Sequence, residues 1–238
     1  MPPCRLLSGK GSYTMILDLT HTIREDMPLY PGTPQPSFKP TGSLNRNGYR
    51  ETMIQFASHT GTHMDAPSHM LPHGCTLDVL PVSQFCGRAV VVDVSAIPAG
   101  GVITADFLRG LNGAVLSTDF VLFYTGWEKK WGTDAYFDDT FPVPDKEAAQ
   151  YLVSCGLKGV GTDALSVDTL ADPDRPAHKT LLGGGLVIVE SLCLRKVVGR
   201  KDVMFFALPT KFVDADGAPV RAIAEFRDFS EKEEGSNP

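Results

Sequence analysis

Long hydrophobic runs, closely spaced cysteine pairs and clusters of cations are all missing from this 238-residue sequence. No apolar stretch approaches the ~20 residues that a bilayer-spanning helix needs, so no membrane span is expected. Five cysteines, Cys4, Cys75, Cys86, Cys155 and Cys193, are odd in number and widely spread in a chain large enough to fold without staples. That pattern argues against a disulfide framework and for a reducing, cytoplasmic setting. A formal net charge of −6 without any dense Lys/Arg block leaves nothing to track the phosphates of a nucleic acid or an anionic membrane. The expected partner is a small molecule. The start of the chain lacks the apolar stretch of a signal peptide, and residues 1–14 read as an N-terminal extension. Residues 230–238, charged and small polar, read as a mobile tail.

What remains, residues 15–229, reads as one domain, because 42% hydrophobic and 21% charged residues are ordinary globular usage. Ile16 to Thr20 predicts a first strand, followed by a proline-punctuated loop from Met27 to Pro40 that covers something. Further strands are expected at Tyr49–Ser58, Ala89–Val94, Val115–Tyr124, Gly159–Gly161, Leu186–Glu190 and Val203–Leu208. Helices are fewer: Thr104–Leu111 and Asp145–Cys155, the second stopped by Gly156. A strand-dominated α/β domain with few helices follows.

Histidine is scarce, yet four of the six, His59, His63, His69 and His73, fall in one fifteen-residue window with Asp65. His59, His63, Asp65 and His69 all occupy odd positions, which an extended backbone places on one face. A helix would split them, and Gly61 and Pro67 disfavour one. The expectation is an extended segment with a polar, ligand-bearing face that bends at Pro67. Imidazole and carboxylate donors suit Zn²⁺ and Mn²⁺, and a site with few protein ligands keeps a position open for water. His69, just outside the ligand set, is the expected proton shuttle. His73 before Gly74 reads as a turn residue or a support to the site, and His21 as a fixture of the first strand's end. Asp163 and Asp168 read as loop-organising carboxylates. The aromatic loop of Trp127, Trp131 and Tyr136 could wall a pocket or form core.

The segment His59 to His69, H-x-G-T-H-x-D-x-P-x-H, resembles the signature of the cyclase-like metal-dependent hydrolases, which include bacterial kynurenine formamidases and isatin hydrolases. The resemblance extends from Ile16–His21 through Pro31-Gly32 to Leu208-Pro209 and Gly217–Ala222. It implies a single β-rich α/β domain of the swivelling β/β/α type with a mixed sheet, a homodimer, and a centre of one or two Zn²⁺ or Mn²⁺ ions. It also implies a second ligand segment, a His and a Glu twelve residues apart, which His178 and Glu190 match. Pro176–Leu182 can form a helical turn and Leu186–Val189 a buried strand that ends at Glu190, a costly place for a carboxylate without a partner. By resemblance, His59, His63, Asp65 and Glu190 would hold one metal, and Asp65, His178 and Glu190 a second.

The activity so implied is hydrolysis of an amide-type bond, with an aryl formamide resembling N-formylkynurenine as substrate. The formamidases place Trp before Pro-Gly in the first loop; here Tyr30 stands there, able to stack on an aryl ring. Cyclic amides and lactones such as isatin remain open. So do a metal-dependent cyclase and a non-catalytic metal- or ligand-binding protein on the same scaffold.

Overall fold

The computed structural model describes residues 14–111 and 113–227. The expected extension up to residue 13 and the tail from 230 lie outside the described residues, whereas Thr14, expected in the extension, opens the first strand. The strands are β1 (Thr14–Asp18), β2 (Ser37–Gly42), β3 (Glu51–Gln55), β4 (His63–Asp65), β5 (Cys86–Asp93) and β6 (Val102–Ile103). They continue with β7 (Phe120–Tyr124), β8 (Val143–Pro144), β9 (Gly159–Thr162), β10 (Val187–Glu190), β11 (Val203–Pro209) and β12 (Gly217–Arg227). Among the described residues there are four α-helices, α1 (Leu44–Asn47), α2 (Ala105–Arg109), α3 (Lys146–Ser154) and α4 (Pro176–Gly183), with short 3₁₀ turns between elements.

Eight strands form one mixed sheet in the order β1-β12-β11-β5-β7-β9-β10-β4. Its centre is parallel and reads as continuous apolar sequence: every residue of β7, Phe-Val-Leu-Phe-Tyr, is buried between β5 and β9. Short β4 closes the sheet, pairing with β10 through Ile188–Glu190 and with β12 through Gly217–Pro219. Alternation then sorts side chains to two cores. Phe120, Leu122, Met64, Val187 and Val189 join the core inside the closed sheet, with Phe205 and Ala222. Val121, Phe123 and Ile188 face the opposite way, onto Leu108, Leu152 and Leu181 of the helices.

The two helices expected from caps are present in shortened form. Asp145 accepts from the Ala148 N–H at 2.7 Å to start α3, and Thr104 does the same for Phe107 N–H at 3.2 Å to start α2. Three expectations need correction. The strand expected at Tyr49–Ser58 is only β3, and it pairs with β2 in a separate ribbon, leaving Met53 and Ile54 exposed. Part of the proline-rich loop is strand β2. The run Val115–Tyr124 starts as a short 3₁₀ turn, and its strand begins only at Phe120.

Candidate metal centre

Met64 points into the core of the closed sheet, so its neighbours His63 and Asp65 must face the other side. The β10 register sets Glu190 directly across from His63. All three side chains are buried. The expected extended segment is confined to β4: Gly61 adopts φ +65°, in the left-handed region, so His59 reaches the cluster from a bend. His69 does so from a 3₁₀ turn that Pro67 starts. The four side chains converge, but by chain reversal at both ends of β4 and not along one flat face.

His178 arrives from α4. Asp168 accepts from the Ala177 and His178 backbone N–H groups, each at 2.9 Å, and from His178 Nδ1 at 2.7 Å. One carboxylate therefore anchors the start of the helix and orients the imidazole on it. His63 is fixed in the same manner, its Nδ1 donating to the Gly61 carbonyl at 2.8 Å. Both rings thus present Nε2 inward. His63 Nε2 lies 3.3 Å from Asp65 Oδ1 and 3.5 Å from Glu190 Oε2; His178 Nε2 lies 3.3 Å from Glu190 Oε1 and 3.6 Å from Asp65 Oδ2.

Lone pairs of two imidazoles and two carboxylates that converge in a buried space repel one another unless a cation lies among them. Among the described residues, Asp65 Oδ2 has no hydrogen-bond partner although it is fully buried. Within the described residues, His63, Asp65 and Glu190 bring ligand atoms within 4.8 Å of one another, and His59, Asp65 and His69 do likewise. Hard oxygen and imidazole donors with no sulfur fit a divalent ion, and these residues fit the group that the sequence resemblance implies.

Protonation behaviour of the metal-free cluster says the same. Burial alone would lower the pKa of His178, but Asp168, Asp65 and Glu190 hold it well above its ordinary value. Burial would raise Asp65, yet the imidazoles of His178, His59 and His63 hold it well below the usual carboxylate range. His59 is opposed by burial and pushed up to about 9 by Asp65 and Asp216. The cluster attracts positive charge.

Asp216 was not singled out in the sequence. Its Oδ2 lies 3.1 Å from His59 Nε2 and 3.9 Å from His69 Nδ1. The available signal was its place directly before Gly217-Ala218-Pro219. Gly217 leaves room for the His59 ring, from which a Cβ would lie only 2.5 Å away. The remaining residues fall as follows. His73 is an exposed turn residue. His21 stacks on Trp131 with ring centroids 3.7 Å apart, donates its backbone N–H to Thr62 Oγ1, and stays out of the cluster. Asp163 binds the Thr125 and Glu128 backbone. Trp127 and Tyr136 are core.

The cluster floors a cavity of about 310 Å³. Pro28, Leu29, Tyr30, Met70 and Leu165 wall it, so the proline-punctuated loop does cover the site. The volume is at the small end of the roughly 300–1,000 Å³ typical of small-molecule sites.

Comparison with known proteins agrees with this geometry. The kynurenine formamidase of Salinibacter ruber is 36% identical over 212 residues, 87% of this chain and 96% of that protein. Cyclase-like protein 2 of Oryza sativa subsp. japonica is 34% identical over 90% of this chain and 80% of that one. The solved isatin hydrolase A from Labrenzia aggregata, bound to benzyl benzoate, shares the fold with a TM-score of 0.80 at 26% identity, covering 90% of this chain and 94% of that one. The Cyclase family model matches residues 17–169, and on that match, the sequence identities and the fold, the chain belongs to the cyclase-like family of metal-dependent hydrolases.

Proposed function

We propose that this protein hydrolyses the formyl C–N bond of an aryl formamide, with N-formylkynurenine-like compounds as the substrate class. The observation that carries the reading is the buried, partnerless Asp65 Oδ2 among inward-facing imidazoles and Glu190, at the floor of an apolar-walled cavity. Similarity to kynurenine formamidases supports the substrate class.

His59, His63, Asp65, His178 and Glu190 would hold one or two zinc or manganese ions. When bound, such an ion supplies Lewis acidity to a carbonyl oxygen and makes hydroxide available at neutral pH. Water adds oxygen to the formyl carbon, the C–N bond breaks, and formate and an arylamine leave. The attacking water must lose a proton and the amine nitrogen needs one as it departs, and His69 is placed to relay it: burial lowers its pKa, so the neutral ring takes the proton from the water and passes it on to the nitrogen. Asp216 and the tilted His59 ring, 4.0 Å away, orient His69. Tyr30, with Leu29 and Met70, packs the aryl ring.

The free Cys75, Cys86, Cys155 and Cys193 fit the cytoplasmic setting. No helix among the described residues is long and apolar enough to cross a membrane. A homodimer is part of the same reading, supported by the exposed Leu44, Tyr49, Met53 and Ile54 on and beside the β2–β3 ribbon. A second substrate reading, a cyclic aryl amide such as isatin, is favoured by the similarity to isatin hydrolase A. The test is turnover of a panel of aryl formamides, isatin and lactones by protein loaded with zinc or manganese. The reading expects formamide hydrolysis that chelation abolishes; turnover of isatin alone, or of none, would overturn it.

A further inference from the structure

We propose that Arg175 is a specificity-determining residue that selects substrates carrying a carboxylate beyond the aryl ring. This rests on the aryl-amide reading above. Arg175 lines the same cavity as His63, His178 and Glu190, and is the one Lys or Arg to do so among the described residues. Its Nη1 donates to the Thr169 carbonyl, and its Nη2 to the Tyr30 hydroxyl and, at 3.5 Å, to the Leu170 carbonyl. The guanidinium also lies 5.6 Å from the centre of the Tyr30 ring.

None of these partners carries a charge. Asp172 and Asp174 are close in sequence but form no ion pair with Arg175; Asp172 instead accepts the Asp174 backbone N–H. A guanidinium has five N–H donors. Three are used here, and the Nε–H and one Nη1–H have no acceptor among the described residues. A half-buried cation with fixed orientation and spare donors is built to take an anion through charge-assisted hydrogen bonds.

The backbone supports the same conclusion. Arg175 has φ +49°, the left-handed region, immediately before Pro176 at the start of α4. A side chain longer than glycine is held there at a cost of order 1–2 kcal/mol, and from that turn Arg175 reaches the Tyr30 hydroxyl. The cavity lining therefore combines the cation-attracting His63, His178 and Glu190, the apolar Leu29, Tyr30 and Met70, and the positive charge of Arg175 held at Tyr30. That set of surfaces matches a reacting amide, an aryl ring and an anion.

The experiment compares 4-(2-formamidophenyl)-4-oxobutanoate with its neutral primary amide, in the wild type, Arg175→Gln and Arg175→Lys. Wild-type kcat/KM should favour the carboxylate by about 10- to 100-fold, the range for hydrogen bonds to a charged group, chiefly through KM. Arg175→Gln should erase most of that ratio, and Arg175→Lys should restore part of it. No preference in the wild type would overturn the proposal, whether or not the variants fold. A ratio unchanged in Arg175→Gln, with both substrates slowed alike, would also overturn it and leave Arg175 a loop anchor. If neither compound is hydrolysed, the formamide reading fails, and the same ratio is read as calorimetric Kd values for the two compounds.

Discussion

The centre has a deep half and a rim, and they are built differently. His63, Asp65, His178 and Glu190 are buried and sit on β4, α4 and β10, each imidazole pinned through Nδ1 to an oxygen that points away from the cluster. His59, His69 and Asp216 lie on bends and turns, and the Asp216 side chain is 49% exposed. His59 straddles the two, with one nitrogen on Asp65 and the other on Asp216. Regular elements fix a ligand to within tenths of an ångström, whereas a half-exposed turn lets an imidazole exchange protons with what enters. On the proposed reading, holding the ion and moving the proton fall to different parts of one histidine cluster.

The most damaging change should be in the deep half. Asp65→Asn is expected to remove metal from the purified protein and to reduce kcat/KM by more than the ~10²–10⁴-fold of a lost acid–base group. Metal analysis beside activity would check it, and a metal-replete variant would break the division.

Asp168→Asn should act one step further out. Its carboxylate touches only the helix start and His178, so metal affinity should weaken by ~10–100-fold while metal still binds at saturation. Competition with a chromogenic chelator would measure this.

At the rim, Gly217→Ala places a methyl group against the His59 ring. The expected cost is about 1–3 kcal/mol in chemical denaturation, with the deep imidazoles undisturbed in their NMR signals. Broadening of His63 and His178 signals alongside His59 would show that the two halves are not separable.

The smallest effect concerns pH and lies outside both halves. Burial of His21 against Trp131 pushes its pKa down to about 4 from an ordinary 6.5. The folded protein keeps this ring neutral while the unfolded chain binds a proton, so the contribution of His21 to stability should fall as pH drops from about 6.5 towards 4 and should be constant above that window. Tm should therefore drop less between pH 7.5 and pH 5 in His21→Gln than in the wild type.

The deep half was the more legible part of the sequence. His63 and Asp65 alternate about Met64 as a strand requires, and Glu190 closes an apolar run where an acid needs a reason to be buried. The second helix could be read because Gly156 stops it, and the structure adds the N-caps Thr104 and Asp145 that start both. The rim was less legible because its geometry depends on backbone reversal at Gly61 and on a partner distant in sequence. Asp216 is a single acid in a turn, 157 residues from His59. Strand β12, which closes the sheet onto β4, contains Gly217 and Pro219, residues that local propensity places outside strands. Pro219 is tolerated at the short β4 pairing, where the ladder is only three residues long.

The most direct test sets His69→Ala against His63→Ala, with metal content and kcat measured on the same preparations. The account predicts that His63→Ala loses metal and activity together, while His69→Ala keeps its metal and loses ~10²–10⁴-fold in kcat. Loss of metal from His69→Ala in parallel with activity would make His69 a ligand and contradict the assignment of proton transfer to the rim.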